Sequence, residues 1–359
     1  MREKGRRAPR GGGVSWDFLF TVGSVSQDMD KNDGKVVAWG LNNRGQTNVP
    51  VGLNNVVFID VSDFYSVALK SDGTIVTWGS NEGRLLNVPE GLIARLPEGL
   101  IARLPENPAI SSDSLVQSSQ NNFTSSLKSI SMGFVHSLAL KNDGTVVAWG
   151  LNGSGQTNVP EGLNNVISVA AGGYHSLALK DNGTVVAWGN NNFGETNVPE
   201  DLSNVISIST GHSHSLALKN NGTVVGWGRN ENGQSTIPSD LNNVISIFAG
   251  NYHSLALKSD GTIVGWGLND VGQTDTPADL NDVISITGGD HISVALKRDG
   301  TVVKWGSNEY GLMERLNDIV DYEGVITSIE LKYRYILALT DNGTLIEMGR
   351  GQGVPVGLN

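Results

Sequence analysis

A Trp-Gly pair stands at Trp39, Trp78, Trp149, Trp188, Trp227, Trp266 and Trp305, and five of the six intervals are 39 residues. A fixed period of that length marks one supersecondary unit copied in tandem, each copy too small to bury its hydrophobic face alone. The exceptional interval, Trp78 to Trp149, is 71 residues, one period plus 32, and an eighth, degraded copy ends at Met348-Gly349. One unit runs Val205-Ile206-Ser207-Ile208, Gly211, His214-Ser215-Leu216-Ala217-Leu218-Lys219, Asn221-Gly222-Thr223-Val224-Val225-Gly226-Trp227-Gly228, then Gly233-Gln234 to Pro238. Glycine supplies 46 of 359 residues, about twice its usual share, which implies many tight turns.

Each piece of the unit reads as a strand. An Asp-Gly or Asn-Gly step begins at Asp33, Asp72, Asp143, Asn182, Asn221, Asp260, Asp299 and Asn342. Between apolar strands that dipeptide predicts a type I′ hairpin turn, with positive φ at both residues. The middle strands, Leu-Ala-Leu and Val-Val-Ala-Trp, are apolar without alternation, so both of their faces are covered. Four-stranded blades stacked radially, each between two neighbours, meet that requirement. The expected fold is an all-β propeller of 39-residue repeats.

The Gly-x-x-His-Ser-Leu-Ala-Leu strand, followed by Val-x-x-Trp-Gly-x-Asn-x-x-Gly-Gln, resembles the regulator of chromosome condensation repeat from about residue 33 to 349. The unit is shorter than in the eukaryotic chromosome-associated members. With Gly-Gln-Thr-x-Val-Pro at Gly45 to Pro50 and Gly155 to Pro160, it is similar to the bacterial β-lactamase inhibitors of that family. The resemblance implies seven blades and a face that holds another protein. Inhibition of a secreted hydrolase such as a β-lactamase is one role it suggests; the alternative is nucleotide exchange on a small GTPase, against which the short repeat weighs.

Naming the strands of a unit A to D, there are seven well-formed A–B pairs, the first at 56–70 and the last at 326–340, but eight C strands. Residues 18–31 align as an eighth A–B pair, yet Asp28 and Asp30 then replace two buried leucines, and burying unpaired carboxylates is too costly. The expected closure therefore pairs the N-terminal C–D strands, 35–50, with the C-terminal A–B pair. Three regions follow: a basic, irregular extension (1–32), the propeller (33–342) and a degenerate repeat or tail (343–359). The insertion, about 93–126, begins in a tandem duplication, Glu90 to Pro97 and Glu98 to Pro105, and ends in Ser/Asn/Gln-rich sequence. It reads as a duplication tolerated in a surface loop, since lengthening a loop adds little closure entropy.

Composition narrows the function. With no cysteine there is no disulfide framework, thiolate metal site or cysteine nucleophile. The net charge is −11, and the first ten residues carry five basic side chains against Glu3, which leaves −15 for the body. A surface that acidic repels phosphate backbones, so the propeller body is not expected to bind nucleic acid. No apolar stretch reaches the roughly 18 residues of a membrane span. The segment Trp16 to Val22 imitates a signal peptide but is short, holds Asp17 and lacks a clear cleavage site. The compartment, extracellular or cytoplasmic, stays open.

Candidate chemistry is sparse. His136, His175, His214 and His253 stand one repeat apart, too widely spread around a ring to share one metal ion. Tyr65, Ile292 and Tyr335 fill the same slot, so a structural role at the strand start is expected. The recurring Trp reads as a spacer between blades. Asp28-x-Asp30-x-Asn32 resembles the start of a calcium loop but has Asp33 and Trp39 where Gly and Glu are required. No phosphate loop, nucleophile elbow or His-Glu-x-x-His pair is present. No enzyme activity, cofactor or metal is expected.

What varies is the loops of one face. A–B and C–D turns emerge on the same side, and they supply Phe64, Tyr65, Phe134, Tyr174, Phe193, His212, Tyr252, His291, Tyr310 and Tyr333, while the other side keeps monotonous Asp/Asn-Gly turns. Aromatic side chains ringed by polar ones on rigid loops are the usual makings of protein-binding hot spots. These ten residues form the candidate site on a monomer, and the expected partner is another protein.

Overall fold

The computed structural model describes residues 127–307 without a break, the segments 56–62, 64–70, 73–81, 86–89, 326–332, 335–340 and 344–348, and positions 35, 36, 44, 45, 48, 50, 51, 53 and 92. Its strands are β1 (Lys35–Val36); β2 (Val56–Val61), β3 (Tyr65–Lys70) and β4 (Ile75–Gly79); β5 (Leu127–Met132), β6 (His136–Lys141) and β7 (Val146–Gly150); β8 (Val166–Ala171), β9 (His175–Lys180) and β10 (Val185–Gly189). There follow β11 (Val205–Thr210), β12 (His214–Lys219) and β13 (Val224–Gly228); β14 (Val244–Ala249), β15 (His253–Lys258) and β16 (Ile263–Gly267); β17 (Val283–Gly288), β18 (Ile292–Lys297) and β19 (Val302–Gly306); and β20 (Ile326–Lys332), β21 (Tyr335–Thr340) and β22 (Thr344–Met348). Each successive trio from β2 onward is an antiparallel meander.

The middle strands β6, β9, β12 and β15 are buried along their first five residues, as their unbroken apolar runs require. The cores lie between sheets. Leu216, Leu218 and Val224 of one sheet pack with Val244, Ile247, Ala256 and Trp266 of the next, and Leu138 and Leu140 pack likewise with Val166, Val169, Ala178 and Trp188. Inner strands meet in chain order, β2 with β5, β5 with β8, and so on to β17 with β20, while β2 also touches β20 and β21. The repeated tryptophan is thus a spacer between sheets.

Three expectations are corrected. Six of the seven sheets have three strands, not four, among the described residues, and the fourth strand of the remaining one is β1, not a strand D of its own unit. In the segment expected as strand D, Thr157 N–H donates to Asn152 Oδ1, Asn158 N–H to Gly155 C=O and Val159 N–H to Thr157 C=O, and Pro160 has no N–H. Local turns use most of the donors a fourth ladder would need.

The B–C turns are not type I′. Gly144, Gly183, Gly222, Gly261 and Gly300 have φ between 76° and 85°, but the preceding Asp or Asn is not left-handed. Gly144 N–H donates to Lys141 C=O and Lys141 N–H to Thr145 C=O, so the loop is three residues, a turn closed by a glycine bulge. Asp143 Oδ1 then accepts both the N–H and the hydroxyl of Thr145, a local bond typical of Asp and Asn in turns.

The strand beside β21 is β22, from the C-terminal tail, and not the N-terminal strand. β1 pairs with the far side of β22, parallel to it, Lys35 opposite Thr344 and Val36 opposite Leu345. Three residues separate β22 from β21, whereas recruiting the N-terminal strand closes a loop of about 300 residues, and closure entropy grows with length. The extension 1–32 and the insertion 93–126 lie outside the described residues.

Candidate site at the A–B and C–D turns

The site rests on a latch repeated at four successive junctions between sheets. His136 Nε2 lies 2.8 Å from Ser176 Oγ of the next sheet, His175 3.0 Å from Ser215, His214 3.0 Å from Ser254 and His253 2.9 Å from Ser293. Ser176, Ser254 and Ser293 donate their single hydroxyl proton to the carbonyls of Gln156, Gln234 and Gln273. They therefore accept from the imidazole, which fixes Nε2–H on His136, His214 and His253. Trp188 and Trp266 donate Nε1–H to the carbonyls of Gln156 and Gln234 as well, at 2.9 Å. Burial pushes His175 and His214 down to about 3 and His253 to about 4, and neighbouring histidines push the same way, so the latch is neutral.

Tyr65 belongs to this latch and not to the surface. It is fully buried, and its hydroxyl lies 2.6 Å from Ser137 Oγ. Burial raises its pKa, so it stays a phenol. Placing it on the binding face sets the Phe64-Tyr65 pair one residue out of register, since Tyr65 occupies the histidine slot and Phe64 the slot of Tyr174 and Tyr252.

One and two residues before the latch, the turns lay down a continuous strip of rings. Phe64 meets Phe134 at 5.4 Å between centroids, Phe134 meets Tyr174 at 6.0 Å and His212 at 5.8 Å, Tyr174 meets His212 at 5.7 Å, and His212 stacks on Tyr252 at 6.2 Å. The strip alternates between the two slots from sheet to sheet. Gly173 makes the central contact possible: a Cβ there would stand 2.4 Å from the His212 carbonyl oxygen and 3.2 Å from its ring. Burial, then the nearby Arg229, lowers the pKa of His212.

The C–D tips border the strip. The recurring Gln, or Glu195, is buried and pins each tip from within: Gln156, Glu195, Gln234 and Gln273 accept the N–H of Ser154, Phe193, Asn232 and Val271 through their side-chain oxygens. Above these pins Leu151, Phe193 and Val271 are exposed by 42%, 45% and 42%. Arg229 joins tips to strip, its guanidinium 4.9 Å from the Phe193 ring and 5.7 Å from that of Tyr252, with Glu231 accepting from it. Arg44 lies 6.0 Å from the Phe64 ring at the opposite end.

Of the ten candidate residues, Phe64, Phe134, Tyr174, His212 and Tyr252 are brought together, and Phe193 joins them through Arg229. His291 stands apart, its Nδ1 3.5 Å from Asp270 Oδ1. Tyr310 and Tyr333 lie outside the described residues. Sequence reading missed Arg229, although the signal was there: Leu151, Asn190 and Leu268 occupy the same position in the neighbouring units.

Residues 127–156, 166–195, 205–234 and 244–273 match the regulator of chromosome condensation (RCC1) repeat. These four units are similar to RCC1 repeats. Each match begins on the first residue of an inner strand and ends on the Gln or Glu that pins the C–D tip. Among solved structures, the ectodomain of the Physcomitrella patens receptor kinase CR4 is 20% identical, with a TM-score of 0.61 over 84% of this chain and 75% of that one. The CRINKLY WD40 ectodomain of Arabidopsis thaliana ACR4 is 18% identical, with a TM-score of 0.57 over 82% and 97%. Prp20p of Saccharomyces cerevisiae is 22% identical, with a TM-score of 0.52 over 62% and 72%. These RCC1-like propellers share the fold. No curated protein matches the chain.

Proposed function

We propose that this RCC1-repeat chain is a non-enzymatic protein-binding module, a ring of seven sheets that holds a partner protein on the A–B/C–D face. The observation that carries the reading is the strip from Phe64 to Tyr252, continuous across five sheets and bordered by exposed apolar tips. A large aromatic area on a preorganised backbone gives affinity with little ordering cost. The contacts of β2 with both β5 and β20 support the ring. Protein binding is also what is described for a structural neighbour, Prp20p, with Gsp1p and histones.

The test compares the wild type with Tyr174→Ala/Tyr252→Ala and, on the opposite face, Asp143→Ala/Asp260→Ala. A captured protein held by the wild type and the aspartate pair should lose roughly 2 kcal/mol or more of affinity for the tyrosine pair. Equal binding by all three would remove the face from the account. Inhibition of a β-lactamase and nucleotide release from a small GTPase, each assayed with the same three proteins, separate the two activities that such a face would serve.

A further inference from the structure

The buried histidines hold more than the sheets together. His175, His214 and His253 are fully buried, each with Nε2 on a serine of the next sheet and with no hydrogen-bond partner for Nδ1. Nδ1 faces the glycine backbone of its own turn: a Cβ on Gly172 would stand 2.6 Å from Nδ1 of His175, and one on Gly211 2.5 Å from that of His214. A proton arriving at Nδ1 creates a donor without an acceptor and a buried cation. The charges around the rings make this worse. His212 acts on His175; His175, His253 and His212 act on His214; His291 acts on His253; and Arg229 acts on His212. The nearby carboxylates are committed elsewhere, Glu195 to the Phe193 N–H and Asp270 to Gln273 and His291.

The same histidines close the turns that carry the strip. His175 and His214 accept the N–H of Gly172 and Gly211 at their carbonyls, and Tyr174, His212 and Tyr252 lie one or two residues upstream of a latch. We propose that the latch is an acid-triggered release device: protonation of His175, His214 and His253 at Nδ1 parts neighbouring sheets and dismantles the aromatic face. The device goes beyond the binding function and operates whether or not a partner is present.

Linkage sets the sign. A histidine held neutral in the folded protein binds its proton only on unfolding, so stability falls as pH drops below the unfolded value of about 6.5 and continues to fall toward the folded value. Between about pH 6 and pH 5, before carboxylates titrate, the unfolding equilibrium constant should rise roughly tenfold per pH unit for each such histidine, so up to about a thousandfold for three. Urea unfolding of the full chain at pH 7, 6 and 5 measures this. His214→Gln and His253→Gln keep an amide N–H for the serine and remove the titration. Each should take about a factor of ten per pH unit out of the dependence. A wild type with a flat profile, or variants with the wild-type slope, would overturn the proposal. Should the variants not fold, imidazole nitrogen NMR of the folded wild type at pH 5.5 decides: neutral latch rings support the device, and protonated rings in an intact fold sink it.

Discussion

The two faces of this molecule are built from the same repeat and have opposite sequence habits. On the B–C face the turn is made by a side chain, since the Asp143, Asn182, Asn221 or Asp260 oxygen holds the threonine two residues on. Changing that residue unmakes the turn, so it recurs as Asp or Asn. On the A–B face the turn is made by backbone and latch: Gly133, Gly172, Gly211 and Gly250 donate to the carbonyl of the histidine three positions along the chain, and the imidazole anchors the strand start. The side chains at the two positions between do not close the turn, and there the chain places Phe134, Tyr174, His212 and Tyr252, while Gly173 has to stay bare. A face can diversify where its shape is held by atoms other than those it displays.

The comparison breaks most decisively at Gly173. Gly173→Ala on the diversified face drives a Cβ into the His212 carbonyl, an obstacle of backbone that cannot rotate away. A loss near 3 kcal/mol is expected, the upper end for overpacking. Chemical denaturation reads it, and a loss within 0.5 kcal/mol would show that Phe134 and His212 do not need to meet. Arg229→Ala probes a contact made by a side chain on the same face. It removes the cation from between Phe193 and Tyr252 and should cost about 0.5–1 kcal/mol, with the near-ultraviolet circular dichroism of the tyrosines changed. The smallest effect belongs to the opposite face. Asp143→Ala/Asp260→Ala should lower the melting temperature slightly at pH 7 and leave the aromatic signals unchanged. Hydrogen bonds from Thr145 and Thr262 hold both carboxyls below their usual range. Their contribution is therefore present above about pH 3.8 and is lost as pH falls through the lowered values. The variant and the wild type should converge in stability below that range, and a difference that persists at pH 2 would point to something other than these bonds.

Much of this was legible in the sequence because the period is strict. The 39-residue interval places the tryptophans and histidines at equivalent junctions, and the variable A–B slots mark the strip. What escaped was decided by atoms that a residue pattern does not show. Asp-Gly serves two hairpin geometries, and the choice falls to Asn142, the extra residue that makes the loop three long. Val159-Pro160 at the end of its unit reads as a strand, but Asn152 has already taken an amide there. Tyr65 stands next to Phe64 in a variable turn, yet its place in the slot of His136 already marks it as a strand-start residue. Phe134 and His212, 78 positions apart in the chain, meet because Gly173 has no side chain, and no local pattern announces a contact that depends on an absence.

The segment that fails to become a fourth strand has one more effect. It lies along the third strand of its sheet, close enough that a Cβ on Gly226 would stand 2.6 Å from the Ser235 carbonyl oxygen, and one on Gly265 2.8 Å from that of Thr274. Its own amides are already engaged in turns and on asparagine side chains. A foreign β-strand approaching the rim would find few donors to pair with, and a proline closing the segment. A chain with so many apolar strands has every opportunity to polymerise edge to edge; this rim offers little purchase for it.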